Sequence, residues 1–229
     1  MSITLFGTCR INNINYNNNL NNLLNYSHST KEVIQFIKFL KGELNFPEPY
    51  NKLCFRTAIC EDKYIDYDNI YNKLFLDTHI FIIEICSNKK YIHNNFYLHH
   101  LCVDERFKGK GYDATPLEIL NNFTIEKQSD EEIENDILEI QKMLHPKIII
   151  IVSHYNSKQN GEYFNSRNNL INLLDTICKK HNIPFINPTI VLSNYSQEEV
   201  MNEDLGHYTD FGSNKFVDYV NNLFTLVPI

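Results

Sequence analysis

The chain has 229 residues, 43% of them hydrophobic, a formal charge of −7 and a pI near 5.7. A length of this order fits one large α/β domain with a sizeable core. The acidic balance, with no basic run longer than Lys89-Lys90 or Lys179-Lys180, argues against nucleic acid or an anionic membrane surface as partner.

In chain order, Ile3 to Gly7 reads as a first strand. Asn12 to Asn25 is rich in asparagine but carries Leu20, Leu23 and Leu24, the mark of an ordered loop or irregular helix. Ser29-x-x-Glu32 is a capping box ahead of Val33, Ile34, Ile37 and Leu40 at helical spacing. After the turn-prone Phe46-Pro47-Glu48-Pro49, Leu53 to Ile59 is expected as strand two. Ile80 to Cys86 is an apolar strand three, interrupted only by Glu84. Residues 90–128 lack sustained periodicity and are expected to form an insertion over the site, with Gly109-Lys110-Gly111 its most flexible point. Ser129-x-x-Glu132 is a second capping box, opening a helix striped by Ile133, Ile137, Ile140 and Leu144. Lys147 to Val152 is strand four, and Arg167 to His181 a helix. Pro184 to Asn187 is a short strand five, and Gly212 to Leu226 the last helix. Apolar strands between amphipathic helices imply one α/β domain with a mostly parallel sheet covered on both faces. In such sheets ligands bind beyond the carboxyl ends of the strands.

The six cysteines form no C-x-x-C pair and sit mostly in apolar contexts, which implies reduced, buried thiols rather than a disulfide framework. No signal-peptide pattern precedes Cys9, and the longest apolar run, Ile148 to Val152, is far too short to cross a bilayer. A cytoplasmic protein is expected.

The residues just after the strands are therefore the candidates for chemistry. Cys9 stands at a strand-to-loop turn, where backbone N–H groups or an imidazole favour the nucleophilic thiolate. Gly7, two residues earlier, permits the tight turn that presents it. Near the other end, Asp204 precedes His207 by three positions. A carboxylate there can hold the Nδ1 side of the ring and leave Nε2 to take a proton from the nucleophile. Ser87 and Asn88 follow strand three, and His154 and Asn156 follow strand four, all placed by topology at the same crevice. Arg10 and Arg56 are candidates to receive an anionic group, and His28 to approach Cys9 from the first helix. His93, His99, His100 and Cys102 match no common zinc spacing, so no metal site is expected. There is no P-loop or dinucleotide fingerprint.

A strand leading into Gly-x-nucleophile at one end, with Asp-x-x-His before the final helix, resembles the SGNH (GDSL-type) hydrolase superfamily. Gly7-Thr8-Cys9 is most similar to its cysteine-bearing branches, the GSCFA-motif proteins and acyltransferase-like proteins of capsular polysaccharide synthesis. The resemblance implies a three-layer α/β/α sandwich, flavodoxin-like, around a five-stranded parallel sheet. It further implies a Cys9–His207–Asp204 triad with Asn88 as the oxyanion asparagine, and Ser87, His154, Asn156 and Arg10 as further oxyanion or substrate-binding groups. The family's acidic residue before the nucleophile is Thr8 here, and Cys86-Ser87-Asn88-Lys89 lacks the glycine and aspartate that normally flank the asparagine. The implied function is an acyltransferase or esterase acting on an O-acyl or thioester substrate, a carbohydrate by analogy. No cofactor is required, although a coenzyme A thioester can serve as acyl donor. The alternative is a catalytically silent domain of the same kind that binds a glycan or a protein.

Overall fold

The computed structural model of the chain describes residues 3–11, 26–61, 77–104 and 115–225. The expected loop Asn12 to Asn25 and the Gly109-Lys110-Gly111 point lie outside the described residues. The first half comprises β1 (Ile3–Phe6), α1 (Thr30–Leu40), α2 (Tyr50–Leu53), α3 (Arg56–Glu61), β2 (Ile80–Ile85), β3 (Lys89–His93) and β4 (Phe96–Tyr97). A 3₁₀ turn (His100–Cys102), α4 (Leu117–Asn122), β5 (Thr124–Lys127), α5 (Asp130–Leu144) and β6 (Ile148–Ser153) follow. The remainder is β7 (Lys158–Gln159), β8 (Glu162–Tyr163), α6 (Asn165–Lys180), β9 (Phe185–Ile186), α7 (Pro188–Val191), α8 (Gln197–Val200) and α9 (Asp210–Thr225).

The apolar runs pair as a parallel sheet in the order β1-β2-β6-β9. Side chains alternate across it, as strand pleating requires. Phe81, Ile83, Ile149 and Ile151 enter one cluster with the stripes of α1, α5 and α6. Ile80, Ile82, Ile150 and Val152 enter the other, against Val200, Phe216 and Val220. Each fully buried isoleucine contributes roughly 1.5–3 kcal/mol of transfer free energy, so the strands hold their register by burial on both faces. The α/β class and the parallel sheet agree with the sequence pattern.

The count of strands does not. Four parallel strands, not five, are present among the described residues. Leu53 to Ile59, expected as strand two, is helical: Leu53 N–H donates to the Pro49 carbonyl and Cys54 N–H to that of Tyr50. A short apolar run preceded by prolines satisfies either period, and here Leu53 and Ala58 reach the core from two short helices, with Phe55 buried at their junction. Between Lys89 and Lys127 the chain builds a separate antiparallel sheet, β4-β3-β5. Ser29 and Glu32 form the full capping box. At Ser129 only half of it exists: Ser129 Oγ accepts from the Glu132 N–H at 3.1 Å. The Glu132 carboxylate turns instead to Lys90 Nζ at 2.8 Å, an ion pair that outcompetes the reciprocal bond. A second complete box, Ser196 with Glu199, opens α8.

Candidate functional site

The end of β1 lies unusually close to β2. A Cβ on Gly7 would stand 2.6 Å from Ile11 Cδ1 and 2.7 Å from Glu84 Cβ. Glycine is needed here for space rather than for the turn conformation expected from the sequence. The close approach puts Thr8 over the Glu84 carboxylate. Thr8 N–H and Thr8 Oγ1 both donate to Oε2, at 2.8 and 2.6 Å, and Arg10 Nε donates to Oε1 at 2.9 Å. Burial works to raise the Glu84 carboxyl, but the Arg10 charge and the Thr8 hydroxyl outweigh it and hold it below its ordinary value. Glu84, which interrupts an otherwise apolar strand, is therefore the buried anion that organises the turn bearing Cys9.

Arg10 links the two ends of the chain. Its Nη1 donates to the Gly206 carbonyl at 3.0 Å. Arg167 Nη1 and Ser157 Oγ donate to the neighbouring Leu205 carbonyl at 2.7 and 3.0 Å. Three elements thus hold the Asp204–His207 loop at the carboxyl rim of the sheet. Leu205 adopts a φ of 54° there, the left-handed region that a leucine occupies only when its surroundings impose it. Within the loop, His207 Nδ1 lies 2.6 Å from Asp204 Oδ2, and Asp204 Oδ1 accepts the Gly206 and His207 N–H groups. Partial burial would raise the Asp204 carboxyl, yet the hydrogen bonds from Gly206 and His207 hold it down at about 2. Both side chains remain more than half exposed, at 53% and 55%.

Cys9 is half-buried. Burial pushes its thiol upward, helped by Glu84 and opposed by Arg10 and Arg56. The thiolate expected from the turn position is therefore disfavoured, and a nucleophile here needs its proton taken at the moment of attack.

Beside this assembly a cavity of about 320 Å³ opens at the same rim, lined in part by Arg10, Ser87, Asn88, His154 and Arg167. Cys9, Asp204 and His207 are not part of that lining. Arg10 forms the wall between the cavity and the His207 loop. Ser87 Oγ accepts the Lys89 N–H at 3.0 Å, a strand-end turn. His154 is buried, with Nδ1 2.5 Å from the Tyr155 carbonyl. Burial first, then the charges of Arg10 and Arg167, push its imidazole down to about 3, so it faces the cavity neutral. Asn156 instead points into the packing: Nδ2 donates to Asn168 Oδ1 at 3.3 Å and the backbone N–H to Thr189 Oγ1.

Comparison with known proteins supplies the family. A model of the TviD N-terminal domain matches residues 1–115 and 103–221, most of the chain. The chain belongs to the TviD N-terminal domain family. The chain is similar to the Vi polysaccharide biosynthesis protein TviD of Salmonella typhi, 26% identical over 256 aligned residues. The alignment covers 91% of this chain and 30% of that protein, so the chain spans under a third of the relative it matches. Among solved structures, a mutant of Axe2, an acetyl-xylooligosaccharide esterase from Geobacillus Stearmophilus, is similar at a TM-score of 0.44 and 10% identity. That alignment covers 99% of this chain and 95% of the other.

For this member of the TviD N-terminal domain family, the sequence pointed to the two ends that meet at Arg10. It did not point to Glu84 or Arg167, whose charges and hydrogen bonds build the rim. A glutamate inside a continuous apolar strand was the available signal for the first. Among the metal candidates, His93 Nδ1 lies 2.6 Å from Tyr50 Oη and Cys102 Sγ donates to the Leu53 carbonyl, so both are engaged elsewhere. His99 and His100 meet His28 instead.

Proposed function

We propose that the chain is an acyl-transferring or ester-cleaving domain of polysaccharide biosynthesis, with Cys9 as nucleophile, His207 as base and Asp204 as the group orienting it. The family relation to a Vi polysaccharide biosynthesis protein supports the process. The observation that carries the chemistry is the Asp204–His207 hydrogen bond, 2.6 Å long, in a loop that Arg10 ties to the turn bearing Cys9. In this reading the thiol reaches its acyl carbonyl protonated. His207 Nε2 accepts the proton as sulfur attacks, while the Asp204 carboxylate fixes the ring and balances the developing imidazolium. The Cys9 N–H and the Asn88 amide are the proposed oxyanion donors, and each such donor is worth about 2.7–4 kcal/mol in the transition state. Collapse of the tetrahedral species expels the leaving group, with the His207 proton, and leaves a thioester on Cys9. Water or a sugar hydroxyl then takes the acyl group and restores the thiol. Arg10 and His154 in the adjacent cavity are the proposed contacts to the acceptor.

The test is release of nitrophenol from short acyl-nitrophenyl esters, with and without a sugar acceptor, by wild type, Cys9→Ala and His207→Ala. Turnover by wild type that both substitutions abolish supports the assignment. Turnover that survives Cys9→Ala rejects it. A second reading, a silent domain that binds glycan, draws on the upward shift of the Cys9 thiol and the exposure of Asp204 and His207. It predicts saturable glycan binding with no turnover in any variant.

A further inference from the structure

His28, His99 and His100 come from two separated segments, and one potential ligand atom from each lies within 4.8 Å of the others. The ring centroids are 5.1 Å apart for His28–His99, 4.4 Å for His28–His100 and 4.6 Å for His99–His100. Three nitrogens bound tetrahedrally at about 2.0–2.1 Å from one ion stand roughly 3.4 Å apart, so the cluster needs only a small contraction to close on an ion.

Two polar atoms in this cluster have no hydrogen-bond partner among the described residues. His99 is 1% exposed and its Nε2 is unsatisfied, as is His28 Nδ1. Buried polar groups are rarely left so. His99 Nδ1 accepts the Leu101 N–H at 3.3 Å, which leaves the His99 proton on Nε2 with no acceptor among the described residues. An ion in place of that proton removes the deficit, at the expense of one long hydrogen bond when the tautomer shifts.

The backbones that carry the rings are already fixed. His28 is held at the rim by Ser27 N–H donating to the Gly7 carbonyl and by Cys86 and Ser87 N–H groups donating to its own carbonyl. Its N–H donates to Glu32 Oε2 at 2.7 Å. The same oxygen stands 3.8 Å from His28 Nδ1, so with Nε2 on the ion a small turn of the ring gives Nδ1 a carboxylate acceptor, as found behind metal-bound histidines. The His99 N–H donates to the Leu53 carbonyl at 3.0 Å.

We infer that His28, His99 and His100 form a three-imidazole site for a divalent transition-metal ion of the zinc class. Nitrogen ligands select zinc, cobalt, nickel or copper over magnesium and calcium, which want oxygen. His28 and His100 line the cavity with Asn88, Arg10 and His154, so the ion's remaining coordination position faces the substrate space, as in catalytic rather than structural zinc sites. Spacing alone hid the site, because its third member lies far from the other two in sequence.

The test uses the full chain stripped by chelator and titrated with Co²⁺ and Zn²⁺. Expected are the visible absorption bands of tetrahedral cobalt, about one ion per chain after dialysis, and a rise in Tm with Zn²⁺. His99→Ala and His100→Gln should abolish all three, and Glu32→Gln should weaken affinity about 10–100-fold. His100 is only half-buried, so its variant keeps the test intact if His99→Ala does not fold. Absence of binding by wild type overturns the inference. So does binding that His100→Gln leaves unchanged, or that is lost in His207→Ala, which would move the ion to the exposed Asp204–His207 pair.

Discussion

Replacing Glu84 with glutamine tests the frame of the site with little change in shape. Glu84 has 2% side-chain exposure and Arg10 10%, so water cannot fill in for a lost partner. The carboxylate accepts from Thr8 on one oxygen and from Arg10 on the other. An amide has one accepting oxygen, so its NH₂ must face either the Thr8 N–H or the Arg10 Nε–H, donor against donor. Removing one member of a buried pair costs about 3–5 kcal/mol. Arg10 keeps its bond to the Gly206 carbonyl, which places the expected loss near the lower end, about 3 kcal/mol. For a chain of this size that lowers Tm by roughly 6–12 °C. The pH dependence has a definite sign. The folded Glu84 carboxyl lies below its ordinary value of 4.5, so its contribution is present above that pH and is lost as pH falls through the folded value. The gap between wild type and Glu84→Gln in urea denaturation should be full near pH 7 and shrink below about pH 4.5. A loss under about 1 kcal/mol, or a gap independent of pH, refutes the assignment of Glu84 as a buried anion paired with Arg10.

Gly7→Ala should destabilise the chain by about 1–3 kcal/mol, since the added methyl meets Glu84 Cβ, which cannot retreat without the strand; an unchanged denaturation midpoint would contradict the packing described. The rate of Cys9 alkylation by iodoacetamide, read by peptide mapping, should be slow near neutrality and still rising past pH 9.0, the ordinary thiol value, because burial raises the group. A plateau below that pH would mean a thiolate is stabilised after all. Ser29→Ala, which breaks a complete and buried capping box, should cost about 1–2 kcal/mol. Ser129→Ala, where only half the box exists, should cost less, about 0.5 kcal/mol in the same denaturation assay.

What the sequence made legible follows from range. The apolar runs of β2 and β6 and the stripes of α1 and α5 are local periodicities, and they appear where expected. Leu53 to Ile59 failed because seven residues carry no period that separates strand from helix. Ser129 failed as a full box because Lys90, far away in sequence, competes for Glu132. Asp204 and His207 were visible as neighbours at a spacing of three. The contacts that set them in place, from Arg10, Ser157 and Arg167 to the Leu205 and Gly206 carbonyls, are long-range and address backbone oxygens, which leave no mark on residue type. The meeting of His28 with His99 and His100 is hidden for the same reason.

Trapping an acyl group on the chain tests the proposed chemistry most directly. After brief exposure to an activated acetyl donor and an acid quench, peptide mapping should find the acetyl thioester on Cys9 of the wild type. In His207→Ala it should form at least about 100-fold more slowly, the loss typical of a missing general base. An acyl group found elsewhere, or formed on Cys9 at the same rate without His207, would contradict the account.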